Sequence, residues 1–292
     1  MLILVVFDNT FTVSGAWERA DELEKPIILI NRDFISMALP PLTSREQVRE
    51  SAFSIVWSEQ LNDAFKNIAP YYDRGNQVAS LGCWNWFLRT FMSMIELQPN
   101  QRVLDVCAGT NAIGIALLKR EPTLDVYAID RSTDMQEVGR QRSESLGFHI
   151  NSVIADVHTL PFPDNHFDVV TLQFASRHLK IAHMFGEINR VLKPGGHFYH
   201  CDMLRPGNRV VEKLYYAYLR LCLSGTGLLF RSSPAAYNLI QYFISALEIF
   251  YSTEELSVLL EEQGYCDISA KAIFSGMLGC HSARKPLSEV LS

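Results

Sequence analysis

Six cysteines, Cys83, Cys107, Cys201, Cys222, Cys266 and Cys280, are scattered through the 292 residues, and no two form a C-x-x-C pair. Their spacing fits no zinc pattern, so no metal site is expected. They read as small, mostly buried thiols in a reducing compartment. Long apolar runs are missing too, since none approaches the ~20 residues of a spanning helix. The opening MLILVVF lacks a basic lead-in and a small-residue cleavage site, so it does not read as a signal peptide. The expectation is a cytoplasmic protein, and peripheral contact with the inner face of a membrane is compatible with it. Basic clusters are also lacking. The net charge is −6 and no basic stripe stands out, which argues against a nucleic-acid partner. No internal repeat or low-complexity tract is found.

What is present suits an ordinary folded chain. Hydrophobic residues make up 48% and charged residues 20%, enough apolar content to bury a core. The length fits one large α/β domain with an extension. Residues 1–50 read as that extension, with short strands at Leu2–Phe7 and Ile27–Ile30, a helix at Ala16–Glu24 and a linker at Ala38–Pro41. From Ser44 to Ala69, Val48, Phe53, Val56, Leu61 and Phe65 recur at roughly helical spacing, and a second helix is expected over Trp84–Ile95.

Strands and helices then alternate. Strands are expected at Arg102–Cys107, Asp125–Ile129, Ile150–Ala155, Phe167–Gln173 and His197–Asp202. Helices fall at Ala112–Arg120, Met135–Leu146 and Ala182–Val191, and Pro194-Gly195-Gly196 makes a turn. Such alternation implies βαβ units, a mostly parallel sheet with helices on both faces, and a ligand crevice at the carboxyl ends of the strands. Arg209–Phe250 is different: long, helical in pattern and rich in aromatics. Ser252–Gly264 is a helix with Ser252 or Thr253 as its cap. Strands at Asp267–Phe274 and Leu278–Ser282 close the chain.

Four segments carry chemistry. In LDVCAGTNAIG, Leu104–Gly114, a strand bearing Asp105 enters a small-residue loop and then a helix whose first N–H groups are free. Gly109 lets a ligand approach the backbone closely. A dinucleotide loop would carry another glycine where Asn111 stands. That absence argues against a pyrophosphate ligand, and less against S-adenosylmethionine, which has none. Asn111 tolerates the left-handed region, so the turn can survive. Asp130 ends the next strand, where a carboxylate can accept from both ribose hydroxyls. Asp156 closes the third strand and can take an adenine amino hydrogen. A helix ending in RVLKPGG, Arg190–Gly196, feeds a further strand.

Together these residues resemble the class I methyltransferases, and more narrowly the ubiquinone/menaquinone biosynthesis C-methyltransferase family. Ile68–Trp86 (IAPYYDRGNQVASLGCWNW), LPFPDNHFD at Leu160–Asp168 and FASRH at Phe174–His178 resemble that family's internal motifs. The likeness covers roughly residues 60–285. It departs at Asn111, where the family has glycine, at Trp84 for His, at His178 for Asn, and at Asp202 for Glu.

The resemblance implies a Rossmann-like fold with a seven-stranded sheet and a helical lid at about 209–251, within a methyltransferase domain of residues 51–292. It implies S-adenosylmethionine as cofactor, held by Asp105, Ala108, Gly109, Thr110, Asp130, Arg131, Met135, Asp156, Val157 and Gln173. Tyr72, Arg177 and His178 become the substrate-side groups. Arg177 would stabilise a phenolate, and His178, with an intrinsic pKa near neutrality, would act as general base. The implied partner is a hydrophobic small molecule, a prenylated quinone, and a homodimer is compatible with it. Two other readings stand beside this one: a methyltransferase for another phenol, polyketide or terpenoid, and a methyltransferase-like fold that no longer methylates.

Overall fold

The computed structural model describes residues 3–7, 27–31, 41–229 and 242–287. The helix expected at Ala16–Glu24, most of the linker at Ala38–Pro41 and the middle of the expected lid lie outside these residues. The chain divides into two compact units, Met1–Ser44 and Arg45–Ser292. In the first, β1 (Ile3–Phe7) pairs in parallel with β2 (Ile27–Asn31), Ile3 opposite Ile27. Both are short apolar runs that fit a pleated surface.

The larger unit takes in Arg45–Glu50, which the sequence places with the extension. Its first helix, α1, spans Leu42–Ile55. One long helix to Ala69 was expected. A π turn at Val56–Gln60 interrupts it before α2 (Leu61–Ile68). Phe53, Trp57 and Leu61 recur every four residues and share one buried cluster. A wider turn keeps such a spacing on one face. A 3₁₀ turn at Ala69–Tyr71 leads to α3 (Tyr72–Ala79), then α4 (Trp84–Met92).

The main sheet is built from β3 (Arg102–Val106), β4 (Asp125–Asp130), β5 (Asn151–Ile154), β6 (Phe167–Gln173), β7 (Leu192–Met203), β8 (Cys266–Ile273) and β9 (Leu278–Arg284). The strand order is β5-β4-β3-β6-β7-β9-β8. The first five run parallel, and β9 is antiparallel to both its neighbours. Val103, Leu104, Val106, Val169, Val170 and Leu172 are fully buried, as central strands covered on both faces require. Helices α5 (Ala112–Arg120), α6 (Thr133–Ser145) and α7 (Ile181–Val191) form the crossovers. On α7, Ile181, Met184, Phe185, Ile188 and Val191 are buried, the stripe of a helix with one face on a sheet.

Strand β7 starts five residues before the expected His197. The Lys-Pro-Gly-Gly turn is a bulge within it: Phe167 pairs with Leu192, Val169 with His197, and the register shifts between. A Cβ on Gly196 would stand 2.8 Å from the Lys193 carbonyl oxygen, so this turn requires glycine there. Beyond β7, α8 (Arg209–Leu229) and α9 (residues 242–248) meet through Tyr215, Tyr216, Leu219, Ile244 and Leu247. Helix α10 (Thr253–Glu262) opens with a capping box of Ser252 and Glu255, which makes Ser252 the cap. The chain order reverses between β3 and β6, and the crevice outside their carboxyl ends is the topological switch point.

Candidate functional site

The loop after β3 is bound to the end of β4. Asp130 accepts the Gly109 N–H through Oδ2 at 2.9 Å and the Ser132 N–H through Oδ1 at 2.8 Å. Burial raises its pKa, and those N–H bonds hold it back. Gly109 has φ +52, and a Cβ there would press on Met135 Cε at 3.2 Å. Register places Asp105 opposite Thr171, which donates to Asp105 Oδ1 at 2.7 Å. The other oxygen, Oδ2, is buried without a partner. Burial pushes Asp105 up to about 7, against the pull of the Thr171 bond.

Cys107 and Phe174, at the ends of β3 and β6, both have φ +56. Left-handed non-glycine residues of this kind cost about 1–3 kcal/mol each and cluster at ligand sites. Asn111 also adopts the left-handed region, at φ 57, so the turn survives the missing glycine. Its side chain is fully buried and turns towards α6, accepting from Gln136 Nε2 at 3.0 Å. Space for it comes from Gly139, where a Cβ would stand 2.8 Å from Asn111 Cγ and 3.0 Å from the Thr110 carbonyl carbon. Gly139→Ala should therefore lower stability by about 1–3 kcal/mol. It should also weaken S-adenosylmethionine binding about tenfold, ~1.4 kcal/mol. Adding Asn111→Gly should recover part of both, since the contact with the Thr110 backbone remains. Calorimetry and melting of the two variants check this, and wild-type affinity in Gly139→Ala would remove Asn111 from the argument.

A cleft opens over this loop in two lobes. The larger, of about 720 Å³ and partly open to solvent, is lined by Gly109, Asp130, Arg131, Met135, Asp156, Val157 and Gln173 among others. The smaller, of about 400 Å³, is lined by Asp105, Ala108, Gly109, Thr110 and Gln173. All ten residues expected to hold the cofactor thus lie on one continuous cleft. Asp156 Oδ1 accepts the His158 N–H at 2.9 Å and approaches its Nδ1 at 2.8 Å. Partial burial raises Asp156, but the His158 bonds outweigh it and the net shift is downward. Arg131 donates to Asn62 Oδ1 at 2.8 Å and to the Trp57 carbonyl, tying α2 and the π turn to the β4 end. Thr110 Oγ1 donates to Asp73 at 3.1 Å, and Arg142 pairs with the same carboxylate at 2.6 Å.

The sequence reading missed the residues that α2 contributes. Leu61, Asn62 and Phe65 line the larger lobe. Nothing local marks them, because an amphipathic helix looks the same whether its face meets a core or a ligand. Cys107, His158 and Trp84 were also missed as lining residues. Cys107 was findable, since it lies inside the loop already singled out.

Of the groups expected on the substrate side, Tyr72 begins α3 and lines both lobes. Burial raises its phenol pKa, with Asn76 and then Arg177 pulling back, so it is protonated at neutral pH. The two other expected groups need correction. Arg177 does not line the cleft. Its side chain is 7% exposed, and NH1 donates to Asp202 Oδ1 at 2.5 Å and to the Phe174 carbonyl at 3.0 Å. Asp202 is fully buried and requires that counter-charge. His178 does line the cleft, but it does not titrate near neutrality. Burial first, then Arg177, Arg49 and Arg131, lower its pKa well below the ordinary value. It is a neutral imidazole at pH 7.

The turn that carries these residues, Ser176–His178, is held from α1. Arg49, with no exposed surface, donates to the carbonyls of Ser176, Arg177 and Leu179 at 3.5, 3.0 and 3.1 Å. Its guanidinium also lies over the rings of Phe250, Trp57 and Tyr251 at 4.7, 5.4 and 5.7 Å.

S-adenosylmethionine fits these groups. The unpartnered Asp105 oxygen can receive an ammonium, and Asp130 retains lone pairs at the end of β4 for two hydroxyls. The doubly wound sheet and the switch-point cleft are those of a class I, S-adenosylmethionine-dependent methyltransferase. Residues 54–285 match the ubiE/COQ5 methyltransferase family, and the chain belongs to that family. A demethylmenaquinone methyltransferase of Anoxybacillus flavithermus is 32% identical over 231 residues, covering 78% of this chain and 96% of that protein. One from Staphylococcus aureus is 32% identical over 229 residues, covering 78% and 93%. Among solved structures, a methyltransferase of Haloferax volcanii in complex with the activator Trm112 superposes with a TM-score of 0.57. It is 17% identical, and the match covers 76% of this chain and 97% of that one. Phosphoethanolamine N-methyltransferase 2 of Haemonchus contortus, in complex with S-adenosyl-L-methionine, has a TM-score of 0.51 at 16% identity, covering 70% and 53%. These two likenesses bear on the fold alone.

Proposed function

We propose that this enzyme transfers a methyl group to a ring carbon of a prenylated hydroquinone of the ubiquinone or menaquinone type. The observation that carries this reading is the acceptor side of the cleft. Tyr72, Phe65 and Phe174 line it, and two buried side-chain nitrogens without partners, Gln173 Nε2 and His178 Nε2, belong to its lining residues. Such a slot suits a flat ring bearing an oxygen. The two demethylmenaquinone methyltransferases named above support the choice of ring.

In this reading Asp130 accepts from the ribose hydroxyls, Asp105 receives the α-ammonium, and Asp156 takes the adenine amino hydrogen. Met135 and Val157 cover the adenine faces. Gly109, Ala108 and Thr110 form the cradle, and Arg131 closes it through α2. S-adenosylmethionine bound there supplies an electrophilic methyl on sulfur. The residues hold the acceptor carbon in line with that methyl. The hydroquinone loses a hydroxyl proton to water, and its negative charge spreads to the adjacent carbon. The acceptor carbon would take the methyl, with the bonding pair left on the sulfur that carried it. The ring proton then leaves to water and aromaticity returns. Arg177, paired with the buried Asp202, fixes the turn that carries His178 rather than contacting the acceptor.

The methyltransferase domain is proposed to run from residue 51 to 292, with residues 209–251 as its lid. Along α8, Val210, Leu214, Leu221 and Leu228 are 68, 67, 74 and 80% exposed and lie on one face. Arg209, Lys213 and Arg220 border that face; Arg220 is loosely paired with Glu248 at 3.7 Å. An apolar stripe edged with cations suits an anionic bilayer surface, where a prenylated ring resides. Leu221→Glu should lower partition onto phosphatidylglycerol vesicles about tenfold, the scale of one leucine withheld from an apolar phase. Equal sedimentation of variant and wild type with those vesicles would rule this surface out.

The chemistry is tested by offering the enzyme reduced and oxidised forms of a prenylated, unmethylated naphthoquinone. Only the reduced ring has the nucleophilic carbon, so methylation should require it. Turnover of non-prenylated phenols alone, with methyl on oxygen, would replace this reading with the broader one.

A further inference from the structure

His178 is wired from behind. Its Nδ1 lies 2.6 Å from the Tyr242 hydroxyl, and Trp57 Nε1 donates to that same oxygen at 2.9 Å. All three side chains are buried, at 7, 2 and 5% exposure. An indole N–H can only donate. The Tyr242 oxygen therefore receives the Trp57 hydrogen and still has its own hydrogen to give. Burial raises the Tyr242 pKa, so that hydrogen is retained at neutral pH. Among the described residues the only side-chain acceptor bonded to it is His178 Nδ1.

A neutral imidazole has one N–H and one lone pair. With the lone pair of Nδ1 occupied by Tyr242, the proton sits on Nε2. That atom is buried, has no partner, and belongs to a residue lining the cleft. We propose that Trp57 and Tyr242 are positioning residues that fix His178 as an Nε2–H donor to the acceptor's oxygen. A general base needs a free lone pair to take up the proton, and this wiring leaves the nitrogen that Tyr242 does not reach already protonated. Gln173 Nε2 is a second unpartnered donor on the same lobe. The slot thus prefers an oxygen that gains negative charge during the reaction over one that must surrender a proton to His178.

The inference rests on the acceptor assigned above, but its first test does not. In protein labelled with ¹⁵N-histidine, His178 should give a protonated Nε2 and an unprotonated Nδ1 that accepts a hydrogen bond. Tyr242→Phe should release this preference into a mixture of tautomers. A wild-type His178 protonated on Nδ1 overturns the proposal whatever the substrate proves to be. Turnover gives the second test. The glutamine amide nitrogen can occupy the Nε2 position and donate, but cannot act as a base. His178→Gln should retain activity within about fivefold, whereas His178→Ala should lose about a hundredfold in kcat, the scale of one lost oxyanion donor. Equal loss in both variants, with S-adenosylmethionine affinity intact, would return His178 to the role of base and overturn the proposal.

Discussion

Asp130→Ala should weaken S-adenosylmethionine binding by at least a factor of about 100, the largest single effect expected on the cofactor. Two ribose hydroxyls donating to a carboxylate contribute about 1.5–3 kcal/mol each. Their joint loss is roughly 3–6 kcal/mol, and each 1.4 kcal/mol is tenfold. The substitution also removes the anchor of the loop, since Gly109 and Ser132 both donate to this side chain. Asp130→Asn keeps one acceptor oxygen and should fall between, with about a tenfold loss. Calorimetric titration of each variant, after melting shows it folded, decides the matter. Affinity within threefold of wild type in Asp130→Ala would mean that the cofactor lies elsewhere.

The second large effect concerns Arg49, which does not itself line the cleft but holds the turn that does. Its guanidinium donates to three carbonyls of that turn and pairs with Glu46. Arg49→Met preserves apolar contact with Trp57 and Phe250 and removes every one of those bonds. Breaking one side of a buried, hydrogen-bonded charge cluster costs about 3–5 kcal/mol. For a domain of this size each kcal/mol shifts Tm by roughly 2–4 °C, so a fall of ~6–20 °C is expected. Methylation should fall more than cofactor affinity, because Gly109 and Asp130 belong to the β3 and β4 ends while Arg49 supports the β6 side. Unchanged melting in Arg49→Met would show the turn to be held by other contacts.

The fold was legible where periodicity and punctuation agree. Ala112–Arg120 and Phe167–Gln173 have the boundaries read from the sequence, because each is a buried apolar run bounded by loop residues. The Lys-Pro-Gly-Gly turn was legible as a turn but not as a bulge inside β7, since register with β6 is a tertiary fact. The π turn at Val56–Gln60 was not legible at all, because an extra residue in one turn leaves no compositional mark.

That the residues proposed to hold the cofactor share one cleft could be anticipated, because they sit at or near strand ends, where sequence order maps directly onto space. The acceptor side could not. The sequence singles out Arg177 and His178 as a pair, yet their surroundings depend on Asp202, 25 residues away from Arg177, and Tyr242, 64 residues away from His178. Burial then turned a titrating imidazole into a neutral one. Asn111 gave the reverse lesson. Its departure from glycine is accommodated by Gly139, an unremarked residue inside a helix.

Transfer to carbon is the central claim, and a labelled methyl tests it most directly. The enzyme would be supplied with S-adenosylmethionine carrying a ¹³C-methyl group and a reduced, prenylated, unmethylated naphthoquinone in detergent, and the product examined by mass spectrometry and carbon NMR. The account predicts one added methyl whose carbon signal is that of a methyl on an aromatic ring. A methoxy signal, or no transfer from an enzyme that binds the cofactor, would contradict it.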